Sequence, residues 1–201
     1  MILIHIQYKY IHSQLTNTSN RHEIRNSVQF LHFSLLLTYN SDNRQLMKIS
    51  IWCIGKTDEK YLREGIAIYL KRLAHYTKVE MVEYKDVKPG NTPEETVKRE
   101  AEMILAQLKP DDYLILMDEH GKEYTSVQLS AYIEKQQLSA VKHVIFMIGG
   151  AYGHHTLIRD RANHLISLSQ MTFSHQMVRL FLAEQLYRAF TILRNEKYHN
   201  D

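Results

Sequence analysis

The chain has 201 residues, 44% hydrophobic and 23% charged, a make-up that suits one well-cored globular domain and is too short for two large ones. Its single cysteine, Cys53, excludes a disulfide framework and any cysteine-based zinc site, and makes a reducing cytoplasm the natural setting. A formal net charge of +3 gives no broad electrostatic footprint, so a nucleic-acid partner would have to be gripped by a local cluster, a dimer or a larger particle.

Residues 1–46 differ from the rest of the chain, because all seven glycines and all three prolines lie beyond Met47. The segment holds a polar stretch, Thr16 to Asn26, and an apolar run, Phe30 to Leu37. That run is too short to span a bilayer and lacks a small-residue cleavage site, so neither a membrane anchor nor a secretory signal is expected. The segment reads either as an appendage or as upstream sequence translated from a misplaced start, and the shift in composition favours the second. Met47-Lys48-Ile49-Ser50-Ile51 has the pattern of an initiator leading at once into a strand. Without the first 46 residues the body carries 21 basic and 20 acidic residues and is close to neutral.

From Met47 the pattern alternates strand and helix. Lys48 to Ile54 is a β-branched strand, and Asp58 to Tyr76 has helical spacing at Leu62, Ile66, Tyr69, Leu70 and Leu73. Lys78 to Tyr84 alternates as a second strand. Thr92-Pro93-Glu94-Glu95 is a helix start, with an N-cap, proline at the first helical position and a glutamate three residues on; that helix runs to about Leu108, before Pro110. Tyr113 to Met117 is a third strand, Ser126 to Leu138 a third helix and His143 to Ile148 a wholly apolar fourth strand. A short helix near His155 to Ala162, a strand at His164 to Leu168 and a long helix from about His175 to Leu193 complete the body. This alternation predicts an α/β fold, a parallel sheet with helices on both faces. Ligands of such sheets bind beyond the carboxyl ends of the strands, which selects the loops after Met117, Ile148 and Leu168.

Nucleotide-binding glycine motifs fail on spacing. Gly55-Lys56-Thr57 resembles the end of a phosphate loop, but Ser50 stands where its first glycine is required, and the dinucleotide fingerprint meets Ile148 at its first glycine. Ile148-Gly149-Gly150-Ala151-Tyr152-Gly153 permits close approach of a ligand to the backbone, and alone is equally compatible with an ordinary strand-to-helix turn. Asp118 to Lys122 reads as a polar loop able to supply an acid or a base. His154 and His155 are adjacent, so they diverge on a helix and suit a metal poorly; no metal is expected. Leu168-Ser169-Gln170-Met171-Thr172-Phe173-Ser174-His175 mixes hydroxyls with Met and Phe, as a pocket with an apolar part and a few directed hydrogen bonds requires, and Ser174 can cap the next helix. His175 and Arg179, four apart, share a face and could meet one ligand. Glu184 and Arg188 have the spacing of an ion pair, and Arg188 lies about 220° around the helix from His175. The helix between them is apolar on nearly every side, which predicts burial partly by a second subunit. Tyr198-His199 could stack on a base or, read from position alone, form a loose terminus.

In combination, Ile148-Gly149-Gly150 with Gly153, Leu168-Ser169 with Met171-Thr172-Phe173 and His175, Glu184 with Leu186-Tyr187-Arg188-Ala189, and Tyr198-His199 resemble one family. It is the small SPOUT-class methyltransferase family, ribosomal RNA large subunit methyltransferase H, which modifies N3 of a pseudouridine in large-subunit ribosomal RNA. The likeness spans Met47 to Asp201, and Ser174 departs from it where the family usually has proline. The resemblance implies a C-terminal trefoil knot, a homodimer, S-adenosyl-L-methionine as cofactor and the ribosome as substrate. Carried over by position, it implies that Met117, Gly149, Leu168, Ser169, Gln170, Met171, Thr172 and Phe173 contact the cofactor. It also implies that His175, Arg188, Tyr198 and His199 handle RNA and catalysis; the separation of His175 and Arg188 around the helix then predicts that the two in one site come from different chains. Two other readings stand beside it: a relative acting on transfer RNA, and a non-catalytic RNA-binding dimer.

Overall fold

The structure is a computed structural model, and it describes residues 47–199. The stretches read in residues 1–46 lie outside the described residues. In chain order the elements are β1 (Lys48–Ile54), α1 (Lys60–Leu73), β2 (Lys78–Tyr84), α2 (Pro93–Leu105), β3 (Tyr113–Glu123), α3 (Ser126–Leu138), β4 (His143–Ile148), α4 (Thr156–Arg161), β5 (His164–Ser167) and α5 (His175–Leu193). The five strands form one sheet in the order β2-β1-β4-β3-β5, every adjacent pair parallel.

Strand periodicity explains the layers. On one face Ile49, Ile51 and Cys53 of β1, Ile115 and Met117 of β3, and Val144, Phe146 and Ile148 of β4 meet α1, α3 and α5. On the other, Trp52, Ile54, Leu114, Leu116, Ile145 and Met147 meet α2 and α4 through Ala101, Ile104 and Ile158. The middle strands are therefore buried on both sides, which is why they read as continuous apolar runs rather than alternating ones. Burial also pushes the Cys53 thiol up to about 12, against the weaker pull of Arg179, so it stays protonated and inert.

Helix starts obey local chemistry. Thr92 accepts from the Glu95 amide (3.2 Å), Thr125 and Gln128 form a full capping box, and Ser174 accepts from the Met177 amide (3.3 Å). Ser174 has φ −62°, a value that proline would also adopt, and its hydroxyl adds a cap that proline could not.

Two features depart from the sequence expectation. β3 does not end at Met117: it pairs with β5 again at Lys122 and Glu123, so that Ile166 is partner to both Met117 and Lys122. The intervening residues fold over β5, and a side chain at Gly121 would lie 2.6 Å from the Ile166 backbone. Arg179 turns inward instead of sharing a ligand with His175. It is fully buried and donates to the carbonyls of Ile54 (2.6 Å) and Gly55 (3.2 Å) and to Thr57 Oγ1 (2.9 Å), fixing the end of β1.

At the amino ends of the strands Ser50 Oγ lies 2.7 Å from His143 Nε2, whose Nδ1 is 2.7 Å from Asp112. These are the spacings of a hydrolytic relay. Ser50 is fully buried, however, and its hydroxyl donates to Glu80 (2.9 Å), so the chain of contacts ties strands together and presents no nucleophile.

Candidate active site

The carboxyl ends of β3, β4 and β5 open onto one cleft of about 610 Å³, within the range that small ligands occupy. Met117, Gly149, Leu168, Ser169, Met171, Thr172, Phe173 and His175 all line it. Gln170 falls outside the lining: Ser169 Oγ accepts from the Met171 amide (3.0 Å), a tight local turn that leaves Gln170 exposed at its corner.

The glycine turn is closed on itself. Gly150 bridges Gly153, which has φ +75°, and a side chain at Gly149 would stand 2.7 Å from the Gly153 carbonyl. Only glycine fits either place without distortion. His154, just past the turn, donates through Nε2 to the Met117 carbonyl (3.0 Å), linking the ends of β4 and β3. Burial lowers its pKa and keeps the ring neutral. His155 has another task, accepting from the Leu157 amide (3.2 Å) at the start of α4. The two histidines thus diverge, and among the described residues no group of three His, Cys, Asp or Glu is placed to hold a metal.

Asp118, buried in the cleft wall, pairs with Arg159 at 2.8 Å. Sequence patterning marks Asp118 as a loop acid but misses the partner, which comes from α4 and has no spacing signal. Tyr152 and Met171, both strongly exposed, stand on the two loops that line the cleft. Half-buried His175 lines the cleft beside them. Its pKa is lowered, first by burial and then by the Arg179 cation, so the imidazole is neutral at pH 7, and its Nε2 lies 3.3 Å from the Gln176 amide nitrogen.

Glu100, on α2, belongs to no motif. A side chain at Gly150 would lie 3.0 Å from its carboxylate, so it packs directly against the glycine turn. Burial, aided by Asp86, raises its pKa to about 7. The folded value lies above the unfolded one of about 4.3, so folding favours the protonated acid. That stability is complete below the unfolded pKa and is lost as pH rises through about 7. Glu100→Gln is expected to raise the melting temperature relative to wild type at pH 8 and to leave it nearly unchanged at pH 4, below the unfolded pKa. An equal difference at both pH values, in thermal unfolding, would contradict this.

The remaining predicted residues gather elsewhere. Arg188 binds Glu184 through Nη2 (2.6 Å) and Nε (3.1 Å), and its guanidinium lies 4.7 Å from the Tyr198 ring centroid. The Tyr198 hydroxyl donates to the same carboxylate oxygen (3.1 Å), which helps raise its pKa after burial and a contact with Tyr69. His199 Nδ1 is 3.4 Å from Arg188 Nη1. His175 and Arg188 are thirteen positions apart, about 20 Å along α5. The sequence-selected residues therefore form two groups, a cleft with His175 and an aromatic-cation cluster with Arg188, Tyr198 and His199.

The family model described as a predicted SPOUT methyltransferase matches residues 47–199, and the chain belongs to this family: it is a methyltransferase. Curated relatives are identical at about half of the aligned positions. A ribosomal RNA large subunit methyltransferase H from Cytophaga hutchinsonii is 49% identical over 155 residues, 77% of this chain and 100% of that one. Proteins of the same name from Christiangramia forsetii and Parabacteroides distasonis are 49% and 48% identical, again over 77% of this chain and 99% and 100% of theirs. Among solved structures, the SpoU methyltransferase AviRb from Streptomyces viridochromogenes, in complex with the cofactor AdoMet, overlaps with a TM-score of 0.36 at 13% identity. That overlap covers 76% of this chain and 62% of that one, and is too loose to bear on the site.

Proposed function

We propose that this chain methylates N3 of a pseudouridine in 23S ribosomal RNA, using S-adenosyl-L-methionine and acting on the assembled ribosome as a cytoplasmic homodimer. The observation that carries this is the cleft built by Met117, the glycine turn and Leu168 to Phe173, in a chain aligned along the full length of ribosomal RNA large subunit methyltransferases H. Apolar Leu168, Met171 and Phe173 suit the adenine and the aliphatic chain of the cofactor, and the close-packed glycine turn leaves backbone groups within a ligand's reach. When bound, S-adenosylmethionine supplies an electrophilic methyl on a sulfonium.

The chain's own residues do the rest. Neutral His175 accepts the N3 proton of the imide, leaving a better nucleophile. Arg188, Tyr198 and His199 orient the nucleotide, and ordered approach of this kind could supply roughly 7–11 kcal/mol of the barrier. Because about 20 Å of helix separates them from His175, they serve the partner's cleft. Exposed Tyr61 and Ile68 on α1 and Phe181 on α5 offer the apolar surface such a dimer needs. The double pairing of Ile166 across the segment 118–121 supports a trefoil knot at this end. We assign the activity to residues 47–201, the part aligned with the relatives, and read residues 1–46 as an extension outside it.

Two measurements test the reading. Calorimetry with S-adenosylmethionine should show one site per chain; a non-catalytic RNA-binding dimer would show none. Methyl incorporation should appear in ribosomes lacking the modification and be absent from transfer RNA; the reverse pattern would transfer the activity to the other substrate.

A further inference from the structure

From Tyr198 of the Arg188 cluster a row of rings extends to residues not used in the proposed methyl transfer, Tyr187, Tyr69 and Tyr76. Tyr198 meets Tyr187 edge-on at 4.7 Å, and Tyr187 lies 6.0 Å from Tyr69 and 6.1 Å from Tyr76. Arg72, in the last turn of α1, lies over this platform with its guanidinium carbon 5.7 Å from the centroids of both Tyr69 and Tyr187. The row therefore runs cation, ring, ring, cation, from Arg72 through Tyr187 and Tyr198 to Arg188.

The two cations are not equivalent. Arg188 is engaged twice by Glu184, and the other acid in the cluster, Glu196, accepts from the Tyr76 hydroxyl at 2.5 Å. Arg72 is exposed and makes no hydrogen bond or ion pair with any described residue. A favourable place near a helix C-terminus accounts for a cation in this turn, but not for its being held against two tyrosines. Contact with the two rings places the guanidinium while its N–H groups meet no acceptor among the described residues, leaving the fork that phosphate oxygens fit. In a body with 21 basic and 20 acidic residues, an ordered cation without an acid partner stands out as a grip for RNA.

We propose that Arg72 is an RNA-binding residue of the same composite site, taking a backbone phosphate next to the nucleotide that Arg188, Tyr198 and His199 orient. This rests on the reading of that cluster as the RNA-facing half of the site. Phosphate contacts set register and affinity without taking part in the chemistry, so the effect falls on KM rather than kcat.

The test uses full-length protein, ribosomes lacking the modification, and Arg72→Ala and Arg72→Lys, with methyl transfer measured over a series of salt concentrations. Arg72→Ala is expected to raise KM for ribosomes about tenfold and to weaken its salt dependence by about one counterion, with kcat within about twofold. Arg72→Lys recovers part of the loss, since it keeps the charge but not the guanidinium fork. Calorimetry with S-adenosylmethionine and the melting temperature stay at wild-type values. Unchanged KM and salt slope in Arg72→Ala, beside an active wild type, overturns the Arg72 assignment alone. So does a shift in dimerisation by sedimentation, which would make Arg72 a subunit contact. A wild type that transfers no methyl to ribosomes overturns the reading of the site and the assignment with it.

Discussion

Mixing His175→Ala and Arg188→Ala subunits is expected to restore activity that neither variant has alone. Each homodimer should lose at least about 10²-fold in kcat/KM, the scale of removing a group that acts on the reacting atoms. In a mixed dimer one site should carry both lesions and the other neither, on the proposal that each site takes His175 from one chain and Arg188 from the other. Random re-association makes about half the dimers mixed, each with one intact site of two, so activity should return to about a quarter of wild type. The geometry behind this is simple. The two residues are thirteen positions apart on one helix, about 20 Å along its axis and on different faces. His175 lines the cleft, whereas Arg188 is held by Glu184 and Tyr198 in the other cluster. Activity of the re-associated mixture no higher than the two homodimers would remove the shared site.

Arg179→Met should be the most destabilising single change near the site. Arg179 is fully buried and satisfies the carbonyls of Ile54 and Gly55 together with Thr57, while its Nη1 lies 3.5 Å from Glu83. Methionine keeps much of the volume but leaves those acceptors without a donor. The pair with Glu83 is long and Glu83 is partly exposed, so the loss lies mainly in the hydrogen bonds, about 3 kcal/mol in all. For a domain of this size that lowers the melting temperature by roughly 10 °C. The guanidinium is also one of the causes that lower the pKa of His175, so the same variant should move the acid limb of the activity profile to higher pH. A melting temperature within a degree of wild type, in thermal unfolding, would show that the end of β1 does not depend on this anchor.

Much of this architecture was legible in the residues. Period-two and period-3.6 patterns place β1, β2, β4, α3 and α5 at their observed limits, because β1 and β4 are apolar runs, β2 alternates, and Thr125 and Ser174 are good caps. The rule that ligands sit beyond the carboxyl ends of parallel strands selects the loops that form the cleft. The path of the chain was not legible. That Ile166 pairs with both Met117 and Lys122 is a tertiary fact, and Gly121 signals it only once its contact with β5 is known. Arg179 misled because helical spacing gives a face but not what covers that face; the ends of β1 and β2 cover it. Glu100 and Arg159 gave no signal, since each meets its partner across two elements distant in sequence. Grouping Arg188 with Tyr198 and His199 came from family resemblance; the structure supplies a physical reason, Glu184 and the stacked rings.

Methylation of a pseudouridine at N3 in large-subunit ribosomal RNA leaves a mass signature that can be read in the cell. Nuclease-digested 23S RNA from cells with and without the protein should be compared by mass spectrometry. With the protein present, one fragment is expected to hold a pseudouridine heavier by a single methyl group, and without it that fragment should lose the methyl. Identical fragments from both cell types, with the modification or without it, would contradict the assigned activity.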